Sequence, residues 1–201
     1  MLVYFNGLLL GLSLIMALGP QNVFLIRQGA LKNHAVLSAV ICFCCDIILI
    51  VASVAGLHHI LTRHPSLQTW ITVFGVLFLL YYGYNALQNG IKTREDSDKN
   101  TRQSATRLQI IFLALGFSLL NPHAIIDSLV IIGGSSSQFP DHRYAFMLGV
   151  ITSSFVWFTL LTLTARYFAD TLSRQAVWQR VELCSGALMI FLSLKLAANL
   201  L

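Results

Sequence analysis

An apolar run that begins at Leu2 is interrupted by the stretch Leu18-Gly19-Pro20-Gln21-Asn22, and a later run is interrupted by Leu120-Asn121-Pro122-His123. Proline removes a backbone donor and clashes with the preceding turn of a helix. Lipid offers no partner for the backbone groups that such a break releases. We therefore expect a broken or kinked helix at each proline, with the neighbouring amide side chains lining a polar interior.

The composition indicates that the chain lies in a membrane. Of its 201 residues, 56% are hydrophobic and 10% are charged, whereas soluble domains carry about 25% charged residues. The formal net charge of +5 is scattered and forms no basic patch of the kind that binds nucleic acid. The N-terminal residues lack the features of a cleaved signal peptide, so we expect the first run to be a membrane span.

Six apolar stretches are long enough to cross a bilayer, which takes about 20 residues per helix. They lie near residues 2–26, 34–57, 67–89, 108–133, 144–166 and 177–200. The connectors after the second and fourth stretches contain only Arg63 and Arg143 as basic residues, and the other three connectors hold most of the remainder. Because cytoplasmic loops are enriched in lysine and arginine, we expect the odd-numbered connectors to be cytoplasmic and both termini to lie outside.

The two halves of the chain resemble each other. Pro20 and Pro122 are 102 residues apart, and residues 75–86 align with residues 186–197 at an offset of 111. A second set of three spans must enter the membrane in the opposite direction, and matched interruptions in two such halves are typical of a transporter site. We expect an all-α polytopic membrane protein, a single transmembrane transporter domain over 1–201. Its six helices form two inverted three-helix repeats with helices one and four broken: repeat one at about 1–90, a cytoplasmic loop at about 90–107, and repeat two at about 108–201.

Two acidic residues lie deep in apolar stretches, Asp46 in the second and Asp127 in the fourth. A carboxylate at mid-bilayer costs about 3 kcal/mol, so it usually faces a polar interior and marks a pathway. Ser38, Cys42 and Ser53 lie near Asp46 at helical spacing, and bulky apolar residues take the other faces. We expect both acids to be functional. The alternatives are that Asp46 supports helix packing and that Asp127 caps backbone groups freed by the break.

The residues beside each proline predict a half-helix that begins inside the protein. Proline is tolerated at the first helical position, and Asn121 is a suitable N-cap for a helix that begins at Pro122. Gly19-Pro20 permits a tight backbone geometry, and Gln21-Asn22 adds donors and acceptors. The N–H groups at such a start attract an anion such as an amino-acid carboxylate. The alternative is a simple proline kink.

Three further ionisable residues lie in apolar stretches. His123 could relay protons, since histidine titrates near neutral pH, or it could be an interior hydrogen-bonding group. Lys195 and Glu182 lie toward opposite ends of the sixth stretch. We expect both of these side chains to extend toward the membrane surface; the alternative is that either is paired with an acid.

Other chemistries have weaker support. Cys42 and Cys45 have the spacing of a thiol redox pair, which leaves a membrane thiol oxidoreductase as an alternative, although cysteine is also a common packing residue. His58, His59 and His64 share one connector, but no further ligand completes a metal site. Nothing resembles a nucleotide-binding loop. We expect a transporter rather than an enzyme, without cofactor or metal; an exporter of another small metabolite or cation stays open.

The chain resembles the lysine/arginine exporter (LysE) family nearly end to end. The residues that carry the resemblance are Gly19-Pro20-Gln21-Asn22, Gln28-Gly29, Asp46, Asn121-Pro122-His123, Asp127, Trp157 and Lys195. The first motif and the pattern Asn-Pro-x-x-x-x-Asp look like the basic-amino-acid branch, since branches for neutral amino acids more often show Pro-Gly-Pro. Cys45 and Ile126 depart from the serine and leucine of similar proteins, which affects tuning rather than function.

The resemblance implies export of L-lysine and L-arginine across a bacterial inner membrane. Moving such a cation out against an inside-negative potential costs about 2.3 kcal/mol per 100 mV, so we expect exchange for an incoming proton. We expect Asp46 and Asp127 to bind the cationic side chain or protons. The α-carboxylate would be held by Gln21, Asn22, Asn121 and His123. Membrane lipid and the substrate are the expected partners, nucleic acid is not, and a homo-oligomer is left open.

Overall fold

The computed structural model describes residues 1–16, 19–56, 65–91, 106–120, 125, 127–172 and 174–198, and within these ranges the chain is helical. In chain order the α-helices are α1 (Leu2–Ile15), α2 (Pro20–Ala30), α3 (Ala35–Val54), α4 (Pro65–Ile91), α5 (Arg107–Leu119), α6 (Gly133–Ser136), α7 (Arg143–Tyr167), α8 (Ala169–Leu172) and α9 (Gln175–Ala198). A π-helical turn, Asp127–Ile132, precedes α6, and a 3-10 turn, Pro140–His142, precedes α7.

Several of these helices are suited to a bilayer. In the part of the chain that the structure describes, three helical segments are long and apolar enough to span one: α3, Pro140–Tyr167 (which contains α7) and α9. The number rises to four if α1 and α2, which meet at 77°, are one bent span. The prediction of an all-helical membrane protein is confirmed, while the count of six spans stays a prediction.

The break predicted at the first proline falls between α1 and α2. Gly19 is the N-cap of α2, with an extended backbone (φ −110°, ψ 174°), and Pro20 takes the first helical position. The predicted connector began at Arg27, but α2 continues to Ala30 because its last turn is buried against other helices. Only a short turn then leads to α3, with left-handed backbone at Lys32 (φ 52°) and His34 (φ 49°).

The surface of α3 shows the pattern of a helix in lipid. Its large exposed side chains are branched and apolar, namely Val36, Val40, Ile48 and Val51. The small residues predicted to accompany Asp46 are instead buried, at 0% exposure for Ser38 and Cys42 and 1% for Ser53. The predicted small-residue stripe therefore faces the protein interior, where it allows close helix packing.

Glycines bring two pairs of long helices into backbone contact. Gly7 on α1 lies against the carbonyl group of Phe146 on α7. Gly83 on α4 and Gly186 on α9 lie against each other: a Cβ at Gly83 would be 3.2 Å from the Gly186 oxygen, and one at Gly186 would be 2.8 Å from the Gly83 oxygen. Such crossings of small residues are a common means of helix association in membranes. They fix α1 on α7 and α4 on α9.

The fourth apolar stretch does not form one continuous helix in the described structure. α5 begins with a capping box between Thr106 and Gln109 and ends at Leu119. Ile125 is helical, and the π-helical turn Asp127–Ile132 packs against α3. Residues 121–124, which include Asn121, Pro122 and His123, lie outside the described residues. Single π-helical turns often occur at functional sites.

The first and fifth connectors lie at the same end of the molecule. Lys32, just after α2, donates from Nζ to Asp170 Oδ1 on α8 at 3.3 Å. One turn earlier, Gly29 packs against Ala165 near the end of α7. Two of the connectors that carry most of the basic residues are therefore adjacent.

Candidate functional site

Asp46, in the middle of α3, is held by side chains from two other helices. Its Oδ1 accepts a hydrogen bond from Gln21 Nε2 on α2 at 3.3 Å, and its Oδ2 accepts one from Ser154 Oγ on α7 at 3.0 Å. The ion pairs found among the described residues involve other acids. Asp46 therefore faces neighbouring helices, as predicted, and both of its hydrogen bonds come from neutral donors.

The amide of Asn22 ties the two halves of the broken helix together. Its Nδ2 donates to the carbonyl oxygen of Ile15, the last residue of α1, at 2.8 Å. Carbonyl groups in the last turn of a helix lack helical partners, so a side chain from the start of α2 satisfies one that the break releases. Gln21 and Asn22 are 8% and 4% exposed, and α2 thus begins inside the protein.

Helix α7 contacts both Asp46 and Asn22. Trp157 Nε1 donates to Asn22 Oδ1 at 3.2 Å. Trp157 lies three residues after Ser154, so the two side chains share one face of α7. One face of this helix therefore holds Asp46 through its serine and the start of α2 through its tryptophan.

The structure brings some of the predicted site residues together. Gly19, Pro20, Gln21 and Asn22 at the start of α2 join Asp46 through the contacts above. Asp127 is the first residue of the π-helical turn that packs against α3, the helix of Asp46. The predicted roles of Asn121, Pro122 and His123 concern residues outside the described ranges and stay predictions.

Ser154 is a site residue that the sequence analysis missed. A serine in an apolar stretch usually serves helix packing, and its neighbour Ser153 only donates to the carbonyl oxygen of Val150 within α7. The one feature of the sequence that could have pointed to Ser154 is its position one helical turn before Trp157. Trp157 is among the residues that carry the family resemblance. That signal does not identify which serine meets the acid.

The cysteines fill space beside the site. Cys42 and Cys45 are 0% and 2% exposed on the interior face of α3, and all four cysteines are free thiols. Ser118 of α5 is a side-chain neighbour of both. Since small buried residues at a helix contact are common packing elements, this arrangement favours a packing role over the alternative redox role.

No metal site is found in the ranges that the structure covers. No group of three histidine, cysteine, aspartate or glutamate residues there is placed to hold an ion. His58, His59 and His64 lie outside the described residues. The polar groups of the candidate site are instead the carboxylate of Asp46 itself, two amides, a hydroxyl and an indole. Such a set suits an organic cation that carries several N–H donors.

A second interior carboxylate lies toward the other end of α2. Glu182 on α9 is 3% exposed, and its Oε1 is 3.5 Å from the nearest guanidinium nitrogen of Arg27. The Arg27 side chain is 41% exposed and also lies over the ring of Trp178, at 5.9 Å from the centroid. The prediction that Glu182 extends toward the surface is wrong, because α2 packs over it and Arg27 reaches the surface instead. Lys195 is exposed.

Comparison with known proteins gives consistent matches over nearly the whole chain. The family model described as LysE type translocator matches residues 12–200. The chain is 35% identical over 196 residues to "Arginine exporter protein ArgO" of Yersinia enterocolitica, covering 97% of this chain and 96% of that protein. It is 34% identical over 197 residues to the Escherichia coli K12 protein of that name, covering 98% and 93%. It is 33% identical over 219 residues to "Lysine exporter LysE" of Corynebacterium diphtheriae, covering 94% and 96%. No solved structure gives a significant match.

Proposed function

This chain belongs to the LysE type translocator family, and on that premise we propose that it exports basic amino acids, L-arginine or L-lysine, across a bacterial inner membrane. Similar proteins named as arginine and lysine exporters match it over nearly its full length. The apolar exterior of its long helices suits a multi-pass membrane protein. The observation that carries the proposal is Asp46, an interior acid on α3 that contacts the start of the broken helix and, among the described residues, accepts its hydrogen bonds from neutral donors.

The chemistry of Asp46 favours a cationic ligand. Its carboxylate now accepts from an amide and a hydroxyl, and a cationic ligand adds a Coulomb attraction that neither neutral donor supplies. A guanidinium or ammonium group can therefore displace Gln21 from Oδ1, while Ser154 keeps its bond to Oδ2. A neutral amino acid would leave the charge unpaired, which is costly in the membrane interior.

The same acid can couple export to proton entry. A carboxylate that holds either a proton or a cation, and never both, carries the two in opposite directions. Exchange of one monovalent cation for one proton moves no net charge, so the membrane potential of about 2.3 kcal/mol per 100 mV no longer opposes export. The substrate gradient and the pH gradient then drive the cycle.

The start of α2 is proposed to bind the α-carboxylate of the substrate. Its first turn is buried, Pro20 occupies the first position, and the N-cap Gly19 provides no side-chain oxygen. Half-helix N-termini facing the anionic group of a substrate recur in transporters with broken helices. We assign carboxylate binding to Gln21 and Asn22 together with Asn121 and His123. We assign Asp127 as the second acid that binds the cation or the proton, and the contact of its π-helical turn with α3, the helix of Asp46, supports this assignment.

We also propose that residues 1–90 and 108–201 form two inverted repeats. The reciprocal contact of Gly83 and Gly186 supports a two-fold relation between α4 and α9. These glycines are 103 residues apart, which agrees with the 102 that separate Pro20 and Pro122 better than with the predicted offset of 111. The adjacency of Lys32 and Asp170 supports placing the odd-numbered connectors together on the cytoplasmic side.

Counterflow of labelled L-arginine in proteoliposomes tests the function. The wild-type protein should exchange arginine and lysine, and an imposed pH gradient should accelerate net movement. Asp46→Asn and Asp127→Asn should each abolish exchange while inserting normally, and Asp170→Asn, at a 96% exposed acid, should transport normally. Wild-type exchange by both Asp46→Asn and Asp127→Asn would refute the assignment of the acids. Absence of arginine or lysine transport by the wild-type protein would refute the function.

A further inference from the structure

Three buried oxygen atoms near the end of α2 have no hydrogen-bond partner among the described residues. They are Gln28 Oε1, Thr162 Oγ1 and Glu182 Oε1. Their residues are 5%, 4% and 3% exposed. An unsatisfied buried polar group costs about 1–3 kcal/mol, so a ligand that supplies donors here would be stabilised. Glu182 Oε1 has only the long 3.5 Å contact with Arg27.

These groups lie at about the same level along α2. Helices α2 and α7 run side by side in the same direction, since Asn22 meets Trp157 and Gly29 meets Ala165. Thr162 falls between those two contacts, beside the last turns of α2. The ion pair of Arg27 and Glu182 brings α9 to the same level.

This level lies between Asp46 and the first connector. Arg27 follows Gln21, the partner of Asp46, by six residues, which is about 9 Å along a helix axis. On the proposed topology the first connector is cytoplasmic, so a substrate that moves from the cytoplasm toward Asp46 passes this level first.

The chemistry of the cluster matches the cationic end of the substrate. Carboxylate and amide oxygens accept hydrogen bonds, a guanidinium offers five N–H donors, and an ammonium offers three. Arg27 already places a guanidinium beside Glu182, but at 3.5 Å the contact is longer than the 2.7–2.9 Å or so of a strong charge-assisted bond. Because Arg27 is partly exposed and loosely held, it can leave Glu182 when another cation arrives.

We propose that Glu182 is a second cation site at the cytoplasmic entrance, and that Arg27 occupies it as a competing internal cation until the substrate displaces it. This inference rests on the proposed export of basic amino acids. It assigns Glu182 to the capture of the substrate side chain, with Gln28 and Thr162 as additional acceptors. Arg27 then closes the entrance when no substrate is present.

Two variants should change cytoplasmic affinity in opposite directions. In proteoliposomes with oriented protein, Glu182→Gln should raise the half-saturating L-arginine concentration at the cytoplasmic face by about tenfold to a hundredfold, as expected when one charged hydrogen-bonding partner is lost. Arg27→Gln should lower it, because the competing cation is gone. An ion pair that only stabilises the fold would change both variants in the same direction.

The surface pair of Lys32 and Asp170 provides the matched control, and Asp170→Asn should leave the half-saturating concentration unchanged. If Glu182→Gln fails to insert, Arg27→Gln carries the test alone: a lower half-saturating concentration supports the entrance site, and an unchanged or higher one overturns it. Wild-type affinity in Glu182→Gln also overturns it. Either failure, with arginine exchange by the wild-type protein intact, leaves the proposed function standing; loss of wild-type exchange removes both.

Discussion

Two interior carboxylates among the described side chains, Asp46 and Glu182, have opposite kinds of partner. Asp46 accepts hydrogen bonds from an amide and a hydroxyl on two different helices. Glu182 has a guanidinium beside it, supplied by the protein itself. An acid with neutral partners is available for a cation from outside the chain, whereas an acid beside an internal cation requires displacement. On our proposal, this difference underlies binding and coupling at Asp46 and access at Glu182.

The geometry of the two sites should make them respond differently to a change in side-chain length. Asp46→Glu keeps the charge but moves the carboxylate away from Gln21 and Ser154, and arginine exchange should fall by about a hundredfold, as misplacements of about 1 Å can cause. Glu182→Asp should alter exchange by no more than about threefold, because its contact with a half-exposed arginine is already weak.

Initial rates of counterflow measured on both variants, with equal amounts of inserted protein, test this difference. Equal losses of exchange rate in the two variants would mean that the two carboxylates have the same role. This would contradict the proposed division into a binding site and an access site.

Removing one neutral partner of Asp46 should weaken arginine transport less than moving the carboxylate itself in Asp46→Glu. Ser154→Ala deletes the hydroxyl that donates to Oδ2, and a hydrogen bond to a charged group contributes about 1.5–3 kcal/mol, so the half-saturating arginine concentration should rise by about tenfold or more. Ser153→Ala is the matched control, because Ser153 donates to its own helix at Val150. Saturation curves should separate the two alanine variants, and identical curves would show that the Ser154 contact is irrelevant to the substrate.

Trp157→Phe tests whether the start of α2 contributes to arginine binding in addition to Asp46. The change keeps an aromatic ring but removes the donor to Asn22 Oδ1. We expect about a threefold rise in half-saturating arginine concentration, since one neutral hydrogen bond is lost and Asn22 keeps its bond to Ile15. An unchanged half-saturating concentration would show that the Trp157–Asn22 hydrogen bond does not contribute to substrate binding.

Replacing the buried thiols should have the smallest effect. The double change Cys42→Ser and Cys45→Ser has little effect on the side-chain volume of the interior face of α3 or on the partners of Asp46. Arginine exchange should therefore stay close to the wild-type rate. Counterflow before and after treatment with a reductant measures this. Loss of exchange in the double variant, together with a redox-dependent rate in the wild-type protein, would favour the thiol alternative.

The parts of the site that were predictable from the sequence are those whose chemistry conflicts with lipid. A proline with flanking amides, such as Pro20 with Gln21, and an acid such as Asp46 are conspicuous in an apolar run because each leaves polar groups that only an interior can satisfy. The boundaries of α3, α4, α7 and α9 were predictable for a similar reason, since apolar stretches end where polar connectors begin.

The remaining features depend on how distant segments pack. Ser154 and Ser153 are indistinguishable along the sequence, and only the orientation of α7 against α3 directs one of them to Asp46. Glu182 was expected at the surface because it lies in the first turns of its stretch. Its burial follows from the extension of α2 past Arg27 and its packing on α9, a tertiary contact that no local pattern contains.

Equilibrium binding of labelled L-arginine to the purified protein tests the central claim most directly, because it needs no gradient and no assumption about sidedness. The wild-type protein and Asp170→Asn should bind arginine saturably and in competition with lysine, and Asp46→Asn should not bind at the same concentrations. Wild-type binding by Asp46→Asn would contradict the claim that this carboxylate, beside the start of the broken helix, holds the exported cation.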